Sequence, residues 1–157
     1  MPIKLTSIIV VDDVIKTKEF YEEIIGCSVT SDFGEFNVTF DGGLSFYKKE
    51  FFLKLAGKRE VVDRSNNFCI YLEVDDIERY ESILANHKVE FIHKMREQPW
   101  GQRTLRFYDL DNHIVELAEN MNNVIARMYK ENGNIKLISE KTGFKEIEIK
   151  QILKILS

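Results

Sequence analysis

The chain lacks the features that would place it outside ordinary globular proteins. Its cysteines, Cys27 and Cys69, form no Cys-x-x-Cys motif and no disulfide framework. No apolar stretch approaches the roughly 20 residues that a membrane-spanning helix requires, and the N-terminus has no long apolar signal segment. The 157 residues are 44% hydrophobic and 31% charged, which is enough for one substantial core. We therefore expect a cytoplasmic protein with reduced thiols and no membrane partner.

The chain has a small excess of acidic residues, and its charge is divided unevenly. The net charge is −4. Residues 120–157 carry seven basic and four acidic residues, whereas residues 1–119 carry 15 and 22. Because the tail has no dense basic block, its simplest interpretation is a solvated helical surface.

An internal repeat organises most of the chain. The residues Val11-Asp12-Asp13-Val14 recur 63 positions later as Val74-Asp75-Asp76-Ile77. Each copy follows a short apolar run and opens a helix-like stretch, with Asp13 and Asp76 as N-caps. Strand-like segments that end in turns follow each helix. The repeat predicts one module written twice, with a functional pocket between the copies.

Each module reads as β-α-β-β-β, over residues 1–50 and 66–119. Strands are predicted at 5–11, 28–32, 35–41 and 44–50, and again at 68–74, 89–95, 102–108 and 113–118. Residues 51–66 read as a connection. From residue 120 the spacing changes to short helices, which Gly133 and Gly143 interrupt. The predicted organisation is a domain over 1–119 and a helical extension over 120–157.

The most specific stretch is Gln98-Pro99-Trp100-Gly101-Gln102-Arg103, followed by Phe107-Tyr108-Asp109-Leu110-Asp111-Asn112-His113-Ile114-Val115-Glu116-Leu117. With the paired modules, it resembles the vicinal oxygen chelate superfamily, which includes glyoxalase I, extradiol dioxygenases, fosfomycin resistance enzymes and bleomycin resistance proteins. The resemblance covers about residues 3–119. It implies an α+β fold whose two modules form a cupped mixed sheet around a cavity, and it implies a homodimer.

Metal-dependent members of this superfamily take four ligands from the first and last strands of the modules. Alignment to their motif places these positions at Thr6, Phe46, Cys69 and Glu116. Of the four, Glu116 is the one hard ligand, and Phe46 cannot bind a metal. One thiolate and one carboxylate do not complete a catalytic site that normally offers about three protein ligands. We therefore expect no metal, no other cofactor, and neither metal-dependent glyoxalase nor dioxygenase activity.

Strand alternation predicts which other side chains line the cavity. The candidates for ligand binding are Thr6, Phe36, Val38, Phe46, Cys69, Tyr71, Trp100, Arg103, Arg106, Tyr108 and Glu116. Such a lining suits a flat or amphipathic organic molecule, although the same aromatic residues would also serve as core. Arg103 is either a structural ion-pair partner or a contact for an anionic ligand.

Glu116 is the candidate catalytic residue. A buried carboxylate without a metal needs a partner, such as Arg106 or Tyr108. It is either a satisfied remnant of the metal site or a functional group, acting as a general base or a ligand anchor.

Three functions remain open. The leading one is a metal-independent protein of the bleomycin-resistance type that binds a small aromatic or amphipathic molecule. The second is a lyase or isomerase with Glu116 as base. The third is a ligand-responsive regulator, because residues 138–153 resemble a helix-turn-helix.

A nucleic acid is not the expected partner of the tail. Glu146 and Glu148 begin the last helix, where they would oppose phosphate. We expect the tail to pack on the protein itself or on a dimer mate through its apolar residues Ile147, Ile149, Ile152, Leu153, Ile155 and Leu156.

Overall fold

The computed structural model describes residues 5–57 and 60–155. The chain divides into two compact units. The first extends to residue 65 and includes residues 110–112, and the second contains residues 66–109 and the chain from 113 onward. The tail lies in the same unit as the second module, and the division at residue 119 into a domain and a helical extension stays a prediction. Within the described ranges, no helix is both long and apolar enough to cross a membrane.

The first unit is a four-stranded mixed sheet with helices. Its elements are β1 (Ser7–Val11), α1 (Val14–Glu19) with a π-helical turn (Phe20–Ile25), β2 (Val29–Asp32), β3 (Asn37–Phe40), β4 (Leu44–Lys48) and α2 (Lys49–Ala56). The strand order is β1-β4-β3-β2, with β1 parallel to β4 and the other pairs antiparallel. As predicted, Asp13 caps α1 by accepting from the Ile15 and Lys16 amides.

The second unit repeats this sheet. Its elements are β5 (Cys69–Val74), α3 (Ile77–Asn86), β6 (Glu90–Glu97), β7 (Arg103–Tyr108) and β8 (Ile114–Glu119). The order is β5-β8-β7-β6, with β5 parallel to β8. Asp76 caps α3 through the Arg79 amide, as predicted. The α+β fold with its duplicated module is confirmed.

Helix α2 occupies part of the segment that was predicted to be a connection. The predicted strand over 44–50 ends at Lys48, and the helix begins at Lys49. The reason is aromatic packing: the Phe51 ring stacks on Tyr47 at 5.9 Å and lies 5.6 Å from the Phe36 ring. Residues that read as strand continuation or linker therefore form a helix anchored by Phe51.

The first-module counterpart of Glu116 lies one residue before the predicted Phe46. Ser45 is the partner of Ile8, just as Glu116 is the partner of Tyr71 in the second sheet. Ile8 and Tyr71 are 63 positions apart, so Ser45, and not Phe46, is the counterpart of Glu116. The prediction of Phe46 was wrong because the two turns differ in length: the residue equivalent to Glu116 comes four positions after the turn residue Asp41, whereas Glu116 comes five after Asp111. A shift of one residue moves a side chain to the opposite face of its sheet.

The tail forms three helices that share a core. They are α4 (Met121–Asn132), α5 (Ile135–Thr142) and α6 (Glu146–Ile155), called here the C-terminal bundle. Val124, Ile125, Met128, Ile138 and Ile149 are buried together. The tail therefore packs on itself as expected, although Ile147 and Ile155 are exposed. Leu156 lies outside the described residues.

Candidate functional site

One face of the second sheet gathers several of the predicted site residues. The partners Tyr71–Glu116, Arg106–Glu116 and Tyr108–Ile114 share a face because ladder partners point to the same side. We call it the Glu116 face; its members on β5, β7 and β8 are Cys69, Tyr71, Glu73, Thr104, Arg106, Tyr108, Ile114, Glu116 and Ala118, and His93 of β6 is the ladder partner of Arg106. Alternation turns Leu105, Phe107, Val115 and Leu117, all buried, to the opposite side.

An ion pair lies at the centre of this face. The Arg106 Nε–H donates to Glu116 Oε2 across the β7–β8 ladder. Glu116 is 7% exposed, whereas the Arg106 side chain is partly open to solvent. A carboxylate this buried needs a partner, and the guanidinium satisfies it. The sequence named Arg106 as one of two possible partners, and the structure selects it.

The groups around the pair are a thiol, two phenols and the Glu73 carboxylate, which accepts from the Tyr71 hydroxyl at 3.1 Å. Burial raises the pKa of the Cys69 thiol, the Glu116 charge raises it further, and Arg106 opposes both. Burial also raises the pKa of Tyr71, although its ring is 50% exposed. The Tyr108 hydroxyl donates to Asn66 Oδ1 at 3.0 Å. The face therefore offers the Arg106–Glu116 pair, the Glu73 carboxylate, two phenols and a thiol whose pKa is raised.

These groups do not fit the metal that the superfamily implies. Glu116 is already engaged by a guanidinium, and the Cys69 thiol holds its proton more tightly than an ordinary cysteine. Among residues 5–57 and 60–155, no group of three or more His, Cys, Asp or Glu side chains is placed to hold a metal ion. A catalytic zinc site normally takes about three protein ligands, which the described donor set does not supply.

The equivalent face of the first sheet is uncharged at its centre. There Thr39 and Ser45 are ladder partners, and their hydroxyls lie 2.8 Å apart. They correspond by register to Arg106 and Glu116. Alternation places Thr6, which is exposed just before β1, on this same side.

The remaining predicted residues of the first unit lie elsewhere. Phe46 and its ladder partner Val38 are fully buried on the opposite side of the sheet, with the Phe46 ring 4.7 Å from Tyr21. The expectation that they share the face of Thr6 is therefore corrected. Phe36 is half exposed and contacts Phe51.

Arg103 points away from the Glu116 face. It is three positions from Arg106, so the two side chains leave β7 on opposite sides. Its guanidinium bonds both oxygens of Glu119, at 2.8 and 3.0 Å, and pairs with Glu78 of α3. The sequence left two roles open for Arg103, an ion-pair partner or a contact for an anionic ligand. The geometry is that of a structural ion-pair partner.

Glu119 is also held by the C-terminal bundle. Arg127 of α4 donates to it from Nη2 at 2.9 Å and from Nε at 3.3 Å. Glu119 is 2% exposed. Burial alone would raise the pKa of this carboxyl, but hydrogen bonds from Arg103 and Arg127 lower it to about 2. The end of β8 is thus fixed by two arginines from different elements.

The sequence did not single out Gln102, which connects the Glu116 face to the start of the tail. Its Nε2 donates to the Tyr71 hydroxyl at 3.0 Å and to the Glu119 carbonyl at 2.9 Å. Its Oε1 accepts from Trp100 Nε1 at 2.9 Å. Gln102 is buried, and both its amide nitrogen and its amide oxygen are hydrogen-bonded, whereas Trp100 is 41% exposed. Glutamine carries no pattern that marks it, so the contact could not be foreseen.

Several solved structures share this architecture. The chain is similar to a protein of unknown function from Agrobacterium tumefaciens str. C58, with 29% identity and a TM-score of 0.69 over 76% of this chain and 96% of that one. It is also similar in fold to a lactoylglutathione lyase from Agrobacterium tumefaciens, with 16% identity and a TM-score of 0.54 over 76% and 95% of the chains. A genomically encoded fosfomycin resistance protein from Listeria monocytogenes gives 19% identity and a TM-score of 0.55 over 76% and 94%.

No curated protein matches the sequence. The family model for the glyoxalase-like domain matches residues 5–122, and α4, which begins at Met121, lies almost wholly beyond that match. The chain therefore belongs to the glyoxalase-like family, within the vicinal oxygen chelate superfamily.

Proposed function

We propose that this protein is a metal-independent small-molecule-binding protein of the glyoxalase and bleomycin-resistance type. The observation that carries the proposal is the Arg106–Glu116 pair. A guanidinium stands beside the carboxylate at the position where metal-dependent relatives would present a ligand. The face keeps polar groups at its centre, and its arginine and phenols suit contact with an organic molecule.

The chemistry of the face favours an aromatic or amphipathic ligand. Tyr71 and Tyr108 offer ring surface with hydroxyl groups, and Arg106 can stack on a flat ring while it remains paired. Cys69, which is exposed, adds a small apolar contact beside them. Pockets for small organic molecules commonly combine apolar surface with a few polar groups that fix orientation.

A thermal-shift screen with drug-like and metabolite libraries tests this proposal. A ligand should stabilise the protein, return unchanged, and lose affinity in Arg106→Met. Arg79→Met makes the same substitution on the exposed surface of α3 and serves as the matched control. Hits whose affinity is equal in both variants would place binding elsewhere and contradict the proposal.

The rival function is a lyase or isomerase with Glu116 as base. A general base needs a free lone pair within reach of the substrate proton, and Arg106 already engages one Glu116 oxygen. This geometry favours binding over catalysis. Turnover of any library compound that disappears in Glu116→Gln would decide for the enzyme.

Metal independence has its own measurement. Elemental analysis of protein purified without chelators should find transition metals well below one equivalent. Near-stoichiometric Ni, Zn, Fe or Mn that is lost in Glu116→Ala would overturn this part of the proposal. A homodimer stays a prediction, and light scattering of the purified protein measures it.

A further inference from the structure

The 98–102 loop contacts both the Glu116 face and the C-terminal bundle. On one side, Gln102 bonds the Tyr71 hydroxyl and fixes the Trp100 indole. On the other, the Gly101 carbonyl accepts from Arg127 Nη2 at 2.7 Å. The loop is closed on itself by backbone bonds from the Gln98 amide to the Gln102 carbonyl and from the Gly101 amide to the Gln98 carbonyl, each 2.8 Å. The loop is thus a short, closely hydrogen-bonded segment between the Glu116 face and the C-terminal bundle.

The bundle also packs against this loop sterically. Gly101 has φ +89°, and a Cβ placed there would lie 3.0 Å from Met128 Sδ and 3.6 Å from Lys141 Cε. Lys141 in turn pairs with Glu97 at the end of β6, at 2.9 Å. Helices α4 and α5 thus both reach the base of the loop.

We propose that the C-terminal bundle is energetically coupled to the Glu116 face through the 98–102 loop, so that docking of the bundle and binding of an aromatic or amphipathic ligand strengthen each other. The ligand half of this inference rests on the proposed function. The bundle positions Trp100 and the Tyr71 hydroxyl at the end of the face. Because coupling between two sites is reciprocal, a ligand that is held better with the bundle docked must also hold the bundle more firmly.

The first arm of the test needs no ligand. Tyr71→Phe removes the hydroxyl that Gln102 bonds, and Tyr108→Phe makes the same change on the same face without touching the loop. We expect Tyr71→Phe to speed amide hydrogen exchange in the 98–102 loop and the first turns of α4, and Tyr108→Phe to leave both unchanged. Equal exchange in the two variants would overturn the coupling.

The second arm uses 8-anilinonaphthalene-1-sulfonate as an amphipathic aromatic probe. Arg127→Met should weaken its binding by at least about 5-fold, the lower end of typical coupling between sites. Lys130→Met, on the exposed side of α4, is the matched control. Saturating probe should slow exchange in α4 of the native chain, and this protection should shrink in Arg127→Met.

The two arms separate the two proposals. If the probe does not bind, or binds Arg106→Met as tightly as the native chain, the result counts against the proposed function. The hydrogen-exchange comparison of Tyr71→Phe with Tyr108→Phe then tests the coupling by itself. Probe affinity that is lost in Arg106→Met but unchanged in Arg127→Met overturns the coupling and keeps the proposed function.

Discussion

Arg106 and Glu116 are direct partners on adjacent antiparallel strands, and the Arg106 Nε–H donates to the Glu116 carboxylate. The carboxylate is buried, whereas the guanidinium remains partly open to solvent. The pair is therefore a fixed charge arrangement with one accessible partner. It can contact a ligand without either charge becoming unpaired.

Arg106→Met should destabilise the protein because it leaves the Glu116 carboxylate buried without its partner. We expect the free energy of unfolding to fall by roughly 1–3 kcal/mol, less than a fully buried pair would lose because Arg106 is partly solvated. Urea denaturation measures the change. Lys16→Met breaks an exposed pair with Asp13 and should change stability far less. Equal losses in the two variants would contradict the structural role of the Arg106–Glu116 pair.

Glu119 should make stability depend on pH in the acid range. Its pKa falls from the ordinary value of 4.5 to about 2 in the folded state. A carboxyl with a depressed pKa stabilises the fold above its unfolded pKa, and this contribution is lost as pH falls toward the folded value. Glu119→Gln should therefore be less stable at pH 7 by roughly 3 kcal/mol, and the difference from the native chain should shrink between about pH 5 and pH 2.

Glu97→Gln provides the control for that experiment. The pKa of Glu97 is also lowered, mainly by its hydrogen bond from Lys141, but the side chain is largely exposed. Its substitution should change stability far less across the same pH range. A Glu119→Gln difference that stays constant from pH 7 to pH 2 would show that the two arginines do not hold this carboxyl ionised.

The duplicated module could be predicted because its signals are local. Asp13 and Asp76 cap their helices through backbone amides two or three residues away, and both motifs are visible in the sequence. Arg106 could be named as one of two candidate partners of Glu116 because strand alternation places it on the same face. These inferences need only the spacing of residues along one or two strands.

Two features of the site could not be predicted from the sequence. They depend on three-dimensional geometry that the spacing of residues along the chain does not encode. One residue in the length of a hairpin turn decides whether Ser45 or Phe46 is the counterpart of Glu116, and Gly42 and Gly43 permit more than one turn. The role of Gln102 depends on tertiary contacts with Tyr71 and the Glu119 carbonyl. Neither has a sequence pattern.

The Cys69 thiol should report the charges of the Glu116 face. Burial and the Glu116 charge raise its pKa, and Arg106 lowers it. In a Cys27→Ser background, Glu116→Gln should lower the pKa of Cys69, and Arg106→Met should raise it. The rate of alkylation by iodoacetamide as a function of pH measures both. Shifts of the same sign in the two variants would mean that these charges do not act on the thiol as the geometry indicates.

Gly101→Ala should be more destabilising than a glycine substitution that meets only backbone strain. Gly34 has φ +62° and open space around its Cβ position, so Gly34→Ala should cost the left-handed penalty of roughly 1–2 kcal/mol. Gly101→Ala pays a similar penalty and also presses on Met128 Sδ, which is buried in the bundle core. We expect its cost to exceed that of Gly34→Ala by roughly 1 kcal/mol or more, as overpacking usually does.

A Met128→Ala background separates the two contributions at Gly101. Removing the sulfur deletes the close contact but not the backbone strain, so the cost of Gly101→Ala should fall there to that of Gly34→Ala. Urea denaturation of the four combinations at Gly101 and Met128 gives the interaction energy between the loop and the bundle directly. An interaction energy near zero would mean that the 98–102 loop and α4 are not in tight steric contact. The coupling between the bundle and the Glu116 face would then rest on the hydrogen bonds alone.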